Sequence, residues 1–164
     1  DHEVFLKKVL LDVDSEAELT IAGSYRRQKP TSGDIDLLVK GKTKKTYEKF
    51  IQVLLDTGYL TCTLAHGSKK YMGLGLLKGY QTNRRIDIMY TKPEEYPFAI
   101  FYFTGSSEFN QRVRKEILDR GMTINEYSLK DNETKKKVDH TFKTEKDIFD
   151  YLGYEYGRPE DRVE

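Results

Sequence analysis

Gly33-Asp34-Ile35-Asp36-Leu37-Leu38-Val39 reads as a buried β-strand, with β-branched and leucine positions bounded by Gly33 before and Lys40-Gly41 after. Alternation along a strand sends Asp34 and Asp36 to one face and Ile35, Leu37 and Val39 to the other. Two neighbouring carboxylates repel, and a strand that keeps such a pair has a use for something cationic between them. Hard divalent cations, Mg²⁺ above all, take one or two carboxylates together with substrate phosphates. The short Asp-x-Asp pattern fits two solvated aspartates on an edge strand as well, so its meaning depends on its neighbours.

Upstream, Glu18 to Ala22 reads as a short strand ending in Gly23-Ser24-Tyr25-Arg26-Arg27. A glycine-serine turn after a strand lets backbone N–H groups and a hydroxyl approach an anion. Arg27 adds a planar fork suited to phosphate. Ser32-Gly33 follows just before the Asp-x-Asp strand. Downstream, Arg84-Arg85-Ile86-Asp87-Ile88-Met89-Tyr90 is a further strand, with Ile86 and Ile88 on its apolar face and Arg85, Asp87 and Met89 on the other. Asp87 beside Arg85 fits a structural ion pair; as a third carboxylate for the first strand it completes a two-metal site.

Bulk properties narrow the class. The 164 residues make one compact domain or two small ones sharing a core. Hydrophobic residues are 37% of the chain, and no run of about 18 apolar residues or signal-peptide pattern is present. The single cysteine, Cys62, excludes an internal disulfide, suits a reducing compartment and is expected as a small buried side chain in a strand. His2, His66 and His140 lie far apart with no other soft ligand beside them, which argues against zinc. Net charge is only +1, but lysines and arginines cluster at Lys40 to Lys45, Lys69-Lys70, Arg84-Arg85, Arg112 to Lys115 and Lys135 to Lys137. Together such clusters can line a phosphate-binding groove.

The remaining chain alternates helix and strand patterns. Residues 4–10 look like the end of a helix with no cap before it, which points to a chain cut from something longer. Tyr47, Phe50, Ile51 and Leu54 mark an amphipathic helix ended by Gly58. Tyr59 to His66 and Lys70 to Leu77 form a hairpin around Gly67-Ser68. Glu94 to Tyr102 is read as a short aromatic helix and Ser107 to Arg120 as a clear one, with Phe109, Val113 and Ile117 as its core stripe. Asn110 and Arg114 share another stripe. Tyr127 to Leu129 is expected to pair with Lys136 to Val138 around Asp131-Asn132. Thr144 with Asp147 resembles a capping box for a last helix that stops at Gly153.

In order along nearly the whole chain, Gly23-Ser24-x-x-Arg27, Ser32-Gly33-Asp34-x-Asp36, Arg84-Arg85-Ile86-Asp87, Tyr102-Phe103-Thr104-Gly105-Ser106, Thr123-Ile124-Asn125-Glu126-Tyr127 and Glu145-Lys146-Asp147-Ile148-Phe149-Asp150-Tyr151 resemble the family X DNA polymerases, on the beta and lambda branch. The resemblance implies an α+β fold: a nucleotidyltransferase palm over 1–92, with a mixed sheet of about five strands and flanking helices, then a small α+β thumb (or fingers) nucleotide-binding subdomain over 93–164. It implies that Asp34, Asp36 and Asp87 hold two Mg²⁺ ions, with Mn²⁺ as a substitute, and that Arg85 positions Asp87. Gly23, Ser24, Arg27, Ser32 and Gly33 would bind the dNTP triphosphate. Tyr102, Phe103 and Gly105 would face its sugar and disfavour ribose, and Asn110 would reach the base's minor-groove edge. Arg114, Glu126 and Lys70 are expected on DNA.

The implied activity is template-dependent addition of dNTPs to a primer 3′-hydroxyl, as in short-gap repair, by a monomer acting on primer-template or gapped DNA. No membrane partner is implied, and the expected place is intracellular, nuclear in a eukaryote or a virus-infected cell. The alternatives are a nucleotidyltransferase with an RNA or other acceptor and a catalytically weak DNA-end-binding fragment. The resemblance also implies a cis Gly105–Ser106 bond. Gln28 stands where relatives often have Gly, and Met89 and Ser107 stand where the beta enzyme has charged residues.

Overall fold

The computed structural model describes residues 2–29 and 34–162. Ser32 and Gly33, two of the expected triphosphate-binding residues, lie outside the described residues. The chain divides into two compact units. Among the described residues the first comprises 2–21 and 34–93, the second 22–29 and 94–162.

The first unit is a five-stranded mixed sheet in the order β1-β2-β5-β4-β3. Its strands are β1 (Glu18–Ile21), β2 (Asp34–Lys40), β3 (Leu60–His66), β4 (Lys70–Gly75) and β5 (Arg84–Thr91). β2 and β5 run parallel, and the other neighbours are antiparallel. A parallel pair needs a long crossover; this one runs through helix α3 (Lys44–Asp56) and the β3–β4 hairpin. Helix α1 (His2–Val13) and α3 pack against the sheet. Leu6, Val9 and Leu10 of α1 and the Tyr47, Phe50, Ile51, Leu54 stripe of α3 meet Leu37, Val39, Ile86, Ile88 and Tyr71 in one core. Fully burying a side chain such as Leu37 or Ile86 contributes about 1.5–3 kcal/mol, and this stripe is what fixes which sheet face points inward.

Two glycines of β4 make room for rings. A Cβ at Gly75 would lie 2.7 Å from the Tyr59 ring, and one at Gly73 would lie 2.8 Å from the ring of Tyr71. Cys62, expected buried, is exposed. It lies on β3, the edge strand, where every residue after Leu60 is exposed. The run is a strand as the hairpin reading expected, but its side chains from Thr61 to His66 are exposed.

The second unit is built on α4 (Tyr96–Thr104), α5 (Ser107–Asp119), the hairpin β6 (Met122–Ile124) with β7 (Leu129–Asp131), and α6 (Glu145–Leu152). The Gly23-Ser24 turn is a single helical turn, α2 (Gly23–Arg26). The aromatic helix starts two residues later than the pattern implies, with Pro97 in its first turn. Residues 129–131 take 122–124 as their main partner rather than 136–138. The expected pairing survives as a bridge between Lys130 and Lys137, with the Val138 N–H donating to Leu129 O and the Asp131 N–H to Lys136 O. Helix ends follow local chemistry. Ser106 Oγ accepts from Phe109 N at 3.2 Å, Thr144 and Asp147 form the full capping box, and Gly153 ends α6 in the left-handed conformation at φ 79°.

Beneath α6 lies the charged centre of this unit. Glu145 is 6% exposed and Arg162 is fully buried. Arg162 donates to both Glu145 oxygens and, through Nε and Nη2, to Gly157 O. Arg26 of α2 also donates to both Glu145 oxygens, at 2.9 and 3.2 Å, and to Thr104 Oγ1 at 2.7 Å. The Arg162 guanidinium lies 5.2 Å from the Phe149 ring centroid and 5.6 Å from that of Tyr156. Burial alone would raise the Glu145 pKa, but the hydrogen bonds and charges of Arg162 and Arg26 outweigh it and hold the carboxyl below its ordinary range.

Removing one partner of a buried pair costs about 3–5 kcal/mol, so Arg162→Ala is expected to destabilise the chain by that order in denaturant unfolding at pH 7. A depressed carboxylate pKa contributes stability that is fully present above the unfolded value of 4.5 and lost as pH falls through the lower folded value. The gap between native chain and variant should therefore hold from pH 7 to 5 and narrow only in stronger acid. A gap that closes near neutral pH would assign the stabilisation elsewhere.

Candidate active site

In the first unit the register of β2 against β5 sets the geometry. Asp34 stands opposite Arg85 and Asp36 opposite Asp87 on adjacent parallel strands. Ile35, Leu37, Ile86 and Ile88 pack into or against the core, so alternation turns Asp34, Asp36, Arg85 and Asp87 to the other face. β4 continues this face, with Met72 opposite Asp87 and Lys70 two residues along. Five of the expected site residues are thus gathered by backbone pairing alone.

Asp87 is oriented by its own strand: Arg85 Nε donates to Asp87 Oδ1 at 3.1 Å. Asp36 is half-buried, and its pKa is raised. Burial is the largest cause, followed by the charges of Asp87 and then Asp34; Lys70 and Arg85 pull it down without cancelling the rise. Among the described residues no group of three His, Cys, Asp or Glu side chains forms a ready cation site. The donor chemistry nevertheless fits a hard cation: three carboxylates on strands about 4.8 Å apart, whose mutual repulsion is already expressed at Asp36. Mg²⁺ takes only one or two protein carboxylates and completes its shell with water and phosphate.

In the second unit, Arg27 Nη1 donates to Thr104 O, while its Nε is buried without a partner. Gly105 has φ +68°, and a Cβ there would lie 3.0 Å from Arg27 Nη1, so both backbone and space call for glycine. The Gly105–Ser106 bond is cis, as the resemblance implied. This turn brings α4 against the first turns of α5. Asn110 Nδ2 donates to Tyr102 O at 2.7 Å, leaving Asn110 Oδ1 buried and unpaired. The Arg114 guanidinium lies 6.0 Å from the Tyr102 ring centroid, and the Tyr102 and Phe103 rings meet edge to face at 5.0 Å. Gly23 and Ser24 open α2, with Gly23 at φ 66°. Gln28, just after α2, also has positive φ, 59°, a conformation a side chain disfavours and glycine does not. Glu126 sits apart on the turn joining β6 to β7, where Asn125 Oδ1 accepts from the N–H groups of Tyr127 and Ser128.

Sequence reasoning missed the Glu145 centre, although it supports the turn that carries the nucleotide-facing candidates. Arg26 ties to Thr104, and the Ser106 N–H donates to Arg162 O. Arg26 beside Arg27 was visible. That Arg26 points inward to a carboxylate 119 positions later was not.

An aspartate pair on one strand beside a third aspartate on its parallel neighbour, in a sheet backed by two helices, is a nucleotidyltransferase palm. Comparison with known proteins agrees. Residues 1–93 match the family model of the DNA polymerase beta palm and residues 99–163 that of the DNA polymerase beta thumb. The chain belongs to the family X DNA polymerases. It is 34% identical over 158 residues to DNA polymerase lambda of Rattus norvegicus, covering 85% of this chain and 28% of that protein. It is 26% identical over 184 residues to DNA polymerase lambda of Arabidopsis thaliana, 99% of this chain and 35% of that one. Against Repair DNA polymerase X of African swine fever virus it is 27% identical over 145 residues, 88% of this chain and 81% of the relative. The chain thus spans about a third of the length of the lambda polymerases.

The raised pKa of Asp36 has a consequence for stability. The folded state gives up nothing below the unfolded value of 3.8 and loses stability as pH rises through the raised folded value. Asp36→Asn is expected to unfold at higher temperature than the native chain at pH 7 without divalent cation, and to lose that advantage below pH 3.8. A variant less stable at pH 7 would mean that the carboxylates do not crowd one another.

Proposed function

We propose that this chain is the catalytic part of a template-dependent DNA polymerase that adds deoxynucleotides to a primer 3′-hydroxyl, filling short gaps during repair inside the cell. The observation that carries this reading is the register that sets Asp36 beside Asp87, with Asp34 and Arg85 on the same sheet face, in a chain of the family X polymerases. The names of its relatives, DNA polymerase lambda and Repair DNA polymerase X, support the same activity.

The reaction is attack of the primer 3′-oxygen on the α-phosphorus of a dNTP, with pyrophosphate leaving. Asp34 and Asp36 would hold both cations, one of which arrives with the triphosphate, and Asp87 would join them at the cation that serves the attacking oxygen. Bound Mg²⁺ supplies charge neutralisation and a more acidic 3′-hydroxyl. The protein's own share is positioning and fixed charge. Arg85 keeps Asp87 in one orientation, and the unpaired Nε of Arg27 is a donor suited to phosphate oxygen. Ser24 and the backbone at Gly23 add neutral contacts to the same group. The Tyr102 to Gly105 backbone stands against the sugar. Asn110, whose amide nitrogen keeps a second hydrogen beyond the one given to Tyr102, can donate to the minor-groove acceptors common to all base pairs. Arg114 and Lys70 contact DNA, the first near the template.

Primer extension across a one-nucleotide gap, with and without Mg²⁺, tests the reading. Asp87→Ala is expected to abolish incorporation while dNTP binding survives, because Asp34 and Asp36 remain. Incorporation within tenfold of the native chain would remove Asp87 from the chemistry. With the native chain, dNTPs should be used more than tenfold better than rNTPs, a discrimination that needs only about 1.4 kcal/mol of steric overlap. Equal use of both would favour an RNA-directed nucleotidyltransferase.

A further inference from the structure

We propose that a cavity built only from residues of the second unit binds one unpaired base of a single-stranded DNA segment. The inference rests on the reading that this chain works on DNA, and it concerns none of the residues assigned above to nucleotide or cation. The cavity has a volume of about 240 Å³, and Phe98, Tyr127, Ser128, Lys137, His140 and Phe142 are among its lining residues.

Its wall is aromatic and continuous. Phe98 and Phe142 meet edge to face at 5.0 Å, and the His140 ring lies 4.8 Å from that of Phe142. Tyr127 is 48% exposed, and Tyr151, 40% exposed, packs on His140 at 4.9 Å and on Phe142 at 5.5 Å. Ser128 is 4% exposed, and its Oγ has no hydrogen-bond partner. A buried hydroxyl is nearly always satisfied, so an orphan in the lining of an aromatic cavity marks the place of a ligand polar atom. Rotation about χ1 turns such a hydroxyl among three staggered positions at little cost.

A nucleobase meets each requirement. It is flat, it stacks on aromatic and histidine rings, and its edges carry donors and acceptors. The cavity is too small for a drug-sized ligand but admits a single base. A duplex offers no free base face, so the ligand is single-stranded. Lys137 on the rim, next to exposed Lys135 and Lys136, suits the flanking phosphates. Glu94, also on the rim, accepts from an exocyclic amine, which favours adenine, cytosine and guanine over thymine.

The test uses the whole chain and a ten-nucleotide thymidine strand with one 5-iodocytosine at its centre. Irradiation should crosslink that base to Tyr127, His140 or Phe142, located by mass spectrometry. His140→Ala and Lys137→Glu should each weaken binding of the strand at least fivefold by fluorescence anisotropy, with unchanged thermal unfolding and gap filling. Crosslinks that all map outside the residues lining this cavity, or variants that bind as the native chain does, overturn the proposal. Should a variant fail to fold, the crosslink map of the native chain decides alone. A native chain that fills gaps but gives no crosslink in the cavity refutes the base site and leaves the polymerase reading standing. One that crosslinks there but extends no primer does the reverse.

Discussion

A single buried carboxylate carries the second half of this molecule. Glu145 sits between two guanidiniums, and each arginine reaches on to something else: Arg26 to the last turn of α4, Arg162 to Gly157 and a ring of aromatic side chains. Burying three charges costs several kcal/mol per ion before they attract one another. They persist because each guanidinium that faces Glu145 also ties down another segment, Arg26 the Thr104 hydroxyl and Arg162 the Gly157 carbonyl. The cluster is dense in hydrogen bonds, so it specifies one arrangement of α2, α4 and α6 where an apolar cluster would tolerate several.

The first unit uses charge in the opposite way. Its aspartates face one another on a half-buried face, and burial first, then the charges of Asp87 and Asp34, raise the Asp36 pKa. The hydrophobic side of the same strands is what makes this possible. Leu37, Ile86 and Ile88 are each fully buried, and they hold the two strands in a register that the carboxylates alone would oppose. The first unit stores an unmet charge at Asp36, whereas the Glu145 centre of the second pairs its buried carboxylate with two guanidiniums.

Much of this was legible in the residues. Period-two alternation identified β2 and β5 and put Asp34, Asp36, Arg85 and Asp87 on their faces, because strand geometry is local. The capping box at Thr144 and the stop at Gly153 were readable for the same reason. The parallel pairing that sets Asp36 against Asp87 was not, since register depends on a crossover through α3 and a whole hairpin. Cys62 was misjudged because a strand-forming run says nothing about which strand ends at the sheet edge. The partner of β7 was misplaced because two nearby segments, 122–124 and 136–138, both have strand-compatible residues, and only packing beneath α5 selects the first. The Glu145 centre joins residues from three distant stretches, and no local rule connects them.

The path of the chain limits how such a protein can be rearranged. Residues 22–29 leave the sheet after β1, contribute Arg26 and Arg27 to the second unit, and the chain then returns to begin β2. A thumb transplanted from a relative as residues 94–162 would bring Glu145 without its Arg26, and the recipient would meet it with an arginine from a foreign loop. Exchange between family members is therefore expected to succeed only when both stretches travel together. In evolution this couples residues 22–29 to residues 94–162 more tightly than their separation suggests.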